Sequence, residues 1–247
     1  MTLEQEARTA LGGVFDPELD EPITDLGFVR SIEVDEDGVL TVHLRLPTSF
    51  CSPNFAYLMA SDSKDVLSAL PRARAVEVLL DDHHDSDLIN RGLAADAGYR
   101  GTFGDEAEKD LDELRQTFRR KAHAAAMERV LTQLLRQDPE LAEEELHDVT
   151  LSDLPDTLGK RALLRRRENL GLGIAGTAKV LVDDQGRAYP REEVPLRLRF
   201  ARAVRISIDG NAHFCRGLLR TRYPESGADQ APRAQESVTT TEKAKAS

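Results

Sequence analysis

On either side of a turn between Phe28 and Leu46 apolar residues follow a period of two, which a strand with one buried face satisfies and a helix does not. Phe28, Ile32 and Val34 share one side. Asp35-Glu36-Asp37-Gly38 supplies a turn, and Leu40, Val42, Leu44 and Leu46 then alternate with Thr41, His43 and Arg45. The pattern predicts a hairpin whose apolar face needs a cover. The cover follows in the sequence: Ala56, Met59, Val66, Leu67 and Leu70 fit one helix that ends at Pro71. Ser52 and Pro53 suit its N-cap and first position, because Ser accepts an orphan backbone N–H and Pro has none to lose. Val76, Val78 and Leu80 predict a third strand, and Asp85–Leu93 a short helix. Residues 2–13 predict another helix, closed by Gly12 and Gly13.

Beyond residue 100 the period changes. Residues 105–137 contain no Gly or Pro and place Leu111, Leu114, Phe118, Ala122, Ala125, Val130, Leu131 and Leu134 near helical spacing, predicting a helix about 50 Å long. A second helix is predicted from Leu158 to Leu170. Alternation at Ala178–Val182, a turn at Asp183–Gly186 and renewed alternation through Val204, Ile206 and Ile208 predict a short hairpin, followed by a last helix over Ala212–Thr221. The predicted fold class is therefore α+β. A small three-stranded sheet domain with covering helices occupies residues 1–95, a mainly helical extension with a short β-hairpin occupies 100–222, and 223–247 form a disordered tail too poor in apolar residues to fold.

Charge divides along the same lines. Residues 1–100 carry 19 acids and 8 bases, 101–159 carry 15 and 7, and 160–222 carry 6 and 15, so a basic segment closes an acidic chain of net charge -11. Such a split favours docking of a partner by the extension. No window is apolar enough to span a membrane, and the start, MTLEQEARTA, lacks the apolar core of a secretory signal, so a cytoplasmic protein is expected. Gly171, Gly173 and Gly176 match a dinucleotide fingerprint in spacing, but a basic helix precedes them and a strand pattern follows, so they predict a helix cap and loop. The basic run at 160–167 has no aromatic interleaving, which argues against nucleic acid and for a solvated face or a dock for an acidic partner.

The chemistry concentrates in Thr48-Ser49-Phe50-Cys51-Ser52-Pro53, where a cysteine lies between a strand end and a helix start. Helix N-termini favour thiolates, and Thr48 and Ser49 add hydroxyls beside this one. Cys51 and Cys215 are far apart in sequence with no paired spacing, which excludes a disulfide framework and leaves single thiols. Cys215, among Phe214, Leu218 and Leu219, reads as a buried structural cysteine. His83 and His84, flanked by Asp81, Asp82 and Asp85, are candidate metal ligands, or else part of a solvated acidic loop.

F-D-P-E-L, D-L-G-F-V, the strand G-V-L-T-V-H-L and the turn T-S-F-C-S-P occur in that order. Over residues 5–95 the chain resembles the iron-sulfur cluster assembly domains of the PaaD and SufT type. The family usually carries Gly or Ala and then Cys-Pro; here Ser52 separates Cys51 from Pro53. The resemblance implies a non-enzymatic metalloprotein maturation factor that handles iron or a transient iron-sulfur cluster, or holds its client, through Cys51. It assigns Asp16 and Glu18 to an acidic loop and Thr48 and Cys51 to the functional turn. Its partners would be the assembly machinery and a client metalloprotein. The stretch L-P-T-S-F-C-S-P-N-F-A-Y-L-M also resembles long actinobacterial forms that accompany soluble di-iron monooxygenases, which implies a di-iron hydroxylase as client. Two other readings stand beside this one: a metal-free folding helper for an oxygenase component, and a cysteine hydrolase, which would need a histidine base that no local signature supplies.

Overall fold

Thr2 starts the first helix with a reciprocal cap: its Oγ1 accepts from the Gln5 N–H at 3.2 Å, and the Gln5 side chain accepts from the Thr2 N–H at 2.9 Å. This computed structural model describes residues 1–104, 107 and 111–232. Helix α1 (Leu3–Leu11) buries Leu3, Ala7 and Leu11. Two-residue strands β1 (Phe15–Asp16) and β2 (Glu21–Pro22) pair across the acidic loop, and α2 (Ile23–Leu26) ends at Gly27, whose φ of 78° is the left-handed cap that glycine adopts without strain.

The sheet order is β3-β4-β5. Strands β3 (Val29–Val34) and β4 (Val39–Arg45) form the expected antiparallel hairpin, and the Asp35 carboxylate fixes its turn by accepting from the N–H groups of Asp37 and Val39. Helix α3 (Pro53–Ser68) then carries the chain to β5 (Ala75–Asp81), which pairs parallel to β4. Leu40, Val42 and Leu44 of β4 and Ala56, Met59, Ala60 and Leu67 of α3 close one core between sheet and helices. Helices α4 (Ser86–Ala94) and α5 (Gly98–Phe103) complete this side, with Tyr57, Tyr99 and Phe103 stacked at centroid spacings of 5.0–5.8 Å.

The chain divides into two compact units, 1–111 with 212–247 and 112–211. The first is thus wider than the segment 1–95 marked out by the sequence patterns. Ala212, Leu219 and Tyr223 lie in its core, and α5 also packs there. The expected disordered tail is corrected at its start: Pro224–Ala228 form a 3-10 turn, and the Ala231 N–H donates to the Asp25 carbonyl at 3.0 Å. The reason is polar as much as apolar, since this segment supplies Glu225 and Asp229 to a buried arginine of the sheet. Residues 233–247 of that expected tail lie outside the described residues, as do five positions at the start of the long predicted helix.

The second unit contains most of α6 (Leu111–Gln137), a 3-10 turn (Glu143–His147), α7 (Leu158–Asn169), and α8 (Val194–Arg222) as far as Asn211. Its core joins Met127, Val130 and Leu131 to Leu163, Val180, Leu181, Val194 and Leu198. The expected hairpin is not there. Residues 178–188 make only isolated bridges, Thr150 with Lys179 and Val182 with Ala188, while Val204, Ile206 and Ile208 belong to the 29-residue α8. The local alternation of three β-branched residues gave the wrong period because the buried positions Val194, Leu198, Ala201, Ile208, Ala212 and Leu219 recur at helical spacing. Gly171 is a helix cap as its context required, with φ 70° and its N–H on the Glu168 carbonyl. The basic run is partly structural: Arg166 and Arg167 are buried, and Arg167 donates to the carbonyls of Gly173 and Lys179 at 2.8 and 3.0 Å. A neighbouring carboxylate, Glu128, is wholly buried against Arg202 and Arg205.

Candidate functional site

Cys51 sits in the turn between β4 and α3, as its sequence context required. Its thiol is half-buried, and Thr48 Oγ1 lies 3.5 Å from Sγ. Thr48 Oγ1 also accepts from the Phe50 N–H at 3.2 Å, which folds the turn back on itself. Ser52 occupies the N-cap, yet its side chain makes no capping hydrogen bond, so Pro53 at the first position and the Ser52 carbonyl start the helix instead. Phe50 stands 81% exposed at the tip of the turn, its ring 5.7 Å from that of His84.

Of the two histidines considered as metal ligands, His83 is engaged in bracing the turn. His83 is 5% exposed; its Nδ1 accepts from the Asp85 N–H at 3.1 Å, so its Nε2 carries the proton and donates to the Cys51 carbonyl at 2.8 Å. Both ring nitrogens are spent on bracing the cysteine turn. His84 is exposed, and its backbone N–H donates to the Ser49 carbonyl. Among the described residues no three His, Cys, Asp or Glu side chains converge as a complete metal site.

Asp16 and Glu18 share a cavity with Cys51. They line, with Phe28, Leu46, Phe55 and Met59, a cavity of about 120 Å³ that also receives Cys51 and Cys215. Asp16 Oδ1 accepts from the N–H groups of Glu18 and Leu19 at 2.9 and 2.8 Å. Burial nevertheless raises its carboxyl to about 7, against those two hydrogen bonds, so the group is poised between its protonation states at neutral pH. Burial also pushes the Cys215 thiol up to about 12, with the nearby Asp16, Cys51 and Glu18 adding to the shift.

Sequence reasoning placed Cys215 in a separate, structural role and missed the arginines that bring it here. Arg216 is buried and donates to Glu21 and to the Ala231 carbonyl. Arg222 donates to the Leu46 carbonyl at 3.1 Å, to Ser49 Oγ at 2.8 Å and to the Asp82 carbonyl, and Tyr223 donates to Asp82 Oδ2 at 2.8 Å. Arg45, 2% exposed, donates to the Gly27 carbonyl, Glu225 and Asp229. The only forewarning in the sequence was the density of arginines at 216–222, which marks a helix that ties down acids without saying which.

A strand-to-helix turn thus presents a braced cysteine over a small cavity on an α+β sheet domain. The family described as iron-sulfur cluster assembly protein matches residues 4–80. A Fe-S protein maturation auxiliary factor of Bacillus subtilis is 33% identical over 76 residues, covering 31% of this chain and 72% of that protein. An uncharacterized protein of Methanocaldococcus jannaschii is 30% identical over 93 residues, covering 38% of this chain and 96% of that one. The chain belongs to the iron-sulfur cluster assembly protein family. An iron-sulfur cluster carrier protein of Mycobacterium tuberculosis is 40% identical over 79 residues, which is 32% of this chain but 20% of the carrier, so the chain spans about a fifth of that relative. A crystal structure of a domain of unknown function from Bacillus anthracis is 27% identical, covers 40% of this chain and 93% of that one, and superposes with a TM-score of 0.30. Among the described residues no helix is long and apolar enough to cross a membrane.

Proposed function

We propose that this chain is a non-enzymatic maturation factor that passes iron or an iron-sulfur cluster, as cargo, to a client metalloprotein through Cys51. The observation that carries the reading is the position of Cys51: half-buried beside Thr48 Oγ1, held by His83 through its carbonyl, and facing a mainly apolar cavity that Asp16 and Glu18 also line. Thiolate sulfur is the ligand iron-sulfur chemistry uses, and one accessible thiol holds cargo loosely enough to release it. The exposed Phe50 ring beside it offers an apolar contact for the client. Working in the cytoplasm with the assembly machinery, the chain would serve a hydroxylase with a carboxylate-bridged di-iron site, as the long form with residues 100–222 suggests.

The test is anaerobic transfer. Protein reconstituted with ferrous iron and sulfide is mixed with an apo-ferredoxin, and cluster appearance on the acceptor is followed by circular dichroism. Cys51→Ser should keep the fold and lose transfer, because a hydroxyl is a poor ligand for iron in this setting. A folded Cys51→Ser protein that transfers at the wild-type rate removes the mechanism and leaves a metal-free helper in its place.

A further inference from the structure

Cys215 comes from α8, far outside the matched residues 4–80, yet it faces the same cavity as Cys51. Its position is fixed from both sides. Arg216, the next residue, is tied to Glu21 at the end of the acidic loop, and Arg222 is tied to Leu46 and Ser49 in the cysteine turn. The walls that these elements bring together say what fits between them. At about 120 Å³ the cavity has room for about four water-sized groups, far below the roughly 300 Å³ at which organic ligand pockets begin. The ionisable groups lining it are two thiols and two carboxylates, Asp16 and Glu18, with no lysine or arginine among the lining residues, so it favours a cation. The two sulfurs select a thiophilic one.

We infer that Cys51 and Cys215 together form a two-sulfur seat for thiolate-bound iron, with Asp16 and Glu18 supplying negative charge around it. This rests on the proposed handling of iron cargo by Cys51 and adds the second ligand. Each iron–sulfur bond forms as a thiol gives its proton to the buffer, so one iron seated on both cysteines releases two protons and changes no oxidation state. Two sulfurs leave a tetrahedral iron two open positions. Those positions are where a client's ligands enter before the cysteines let go, which makes the seat a hand-over site rather than a resident one.

Anaerobic titration of the full chain with Co(II), a spectroscopic substitute for Fe(II), reads the thiolate-to-metal charge-transfer band. The expected wild-type band corresponds to two thiolates per ion; Cys215→Ser and Cys215→Ala should each halve it and weaken binding by at least about tenfold, no less than the loss of an outer-shell partner. A Cys215→Ser protein that titrates like wild type overturns the two-sulfur seat while leaving Cys51 as a single-thiol carrier. A Cys51→Ser protein that also titrates like wild type overturns both. Should the Cys215 variants fail to fold, the unaltered chain still decides: at one equivalent of Co(II) its band must have the intensity of two thiolates per ion, and the intensity of one thiolate refutes the pair. Reconstitution with ferrous iron alone and with iron plus sulfide, each in wild type and Cys215→Ser, tells a single ion from a cluster. Loss of bound iron in the variant is expected in whichever arm loads, and equal loading of variant and wild type refutes the seat.

Discussion

Arg45 sets up an unequal pair of experiments. Its side chain is 2% exposed, whereas those of its partners Glu225 and Asp229 are 63% and 44% exposed. Removing the arginine therefore frees two carboxylates that water can hydrate, while removing the carboxylates strands a buried cation. Breaking a wholly buried pair in this way costs about 3–5 kcal/mol; the exposure of both carboxylates screens their attraction and lowers the expectation for Glu225→Gln with Asp229→Asn to about 2–3 kcal/mol. Arg45→Met should cost less, about 1 kcal/mol, chiefly from the Gly27 carbonyl that loses its donor at 3.1 Å and from the Tyr223 ring 5.5 Å from the guanidinium carbon. Urea unfolding at pH 7, followed by amide signals of β3 and β4, gives both values from the shift in midpoint. The carboxylate variant's deficit should shrink in 1 M salt, since salt weakens the lost attraction in the parent. If Arg45→Met proves the more damaging of the two, the buried guanidinium is not held chiefly by Glu225 and Asp229 and the reasoning fails.

The two units should respond to pH in opposite directions. His123 is 2% exposed with Nε2 unpartnered, and burial, then Arg167 and Arg166, lower it to about 4; stability of the second unit should be intact above pH 6.5 and fall by about 3 kcal/mol as pH drops towards 4, a loss that His123→Leu removes in pH-dependent urea unfolding. Asp16, raised to about 7, works the other way: the first unit should be most stable below pH 4 and lose up to about 4 kcal/mol as pH rises past 7, with Asp16→Asn flattening the profile because an amide oxygen still accepts from Glu18 and Leu19. Arg167→Ala should cost the second unit about 3 kcal/mol by leaving the Gly173 and Lys179 carbonyls without their donor, and a fully stable variant would return this arginine to a docking role. Gly92→Ala places a Cβ 2.1 Å from Thr102 Oγ1 and 2.8 Å from Thr102 Cβ, so α4 and α5 should separate and lower the thermal midpoint; Gly92→Ala with Thr102→Gly, which removes both atoms, should recover part of it, and Gly92→Ala with Thr102→Ala should recover less.

The elements that sequence revealed were those whose burial is one-sided and local. The β3–β4 hairpin, α3 and β5 each show their period within a few residues, and the cysteine turn lies between two of them. What stayed hidden depends on residues distant along the chain. Nothing near position 215 says that Cys215 shares a cavity with Cys51, because the link runs through Arg216 to Glu21 and Arg222 to Ser49. Residues 223–232 looked unable to fold because their order comes from capping a buried charge rather than from apolar content. In Val204–Ile208 the local alternation and the longer helical period disagreed, and the longer one governs.

One connection has a consequence for synthesis. The first unit is interrupted after Leu111 and resumes at Ala212, so the helix segment that walls the Cys51 cavity is made about 100 residues after the rest of it. At about 5–20 residues per second, the ribosome leaves the half-built unit waiting for 5–20 s. Closing an unstructured loop of that length costs about 4 kcal/mol, which the contacts of the returning segment with the early-made part must offset. Translation order thus leaves Cys51 facing an incomplete wall until α8 is made, and the cavity that both cysteines line comes into being only once the nascent chain has passed residue 222.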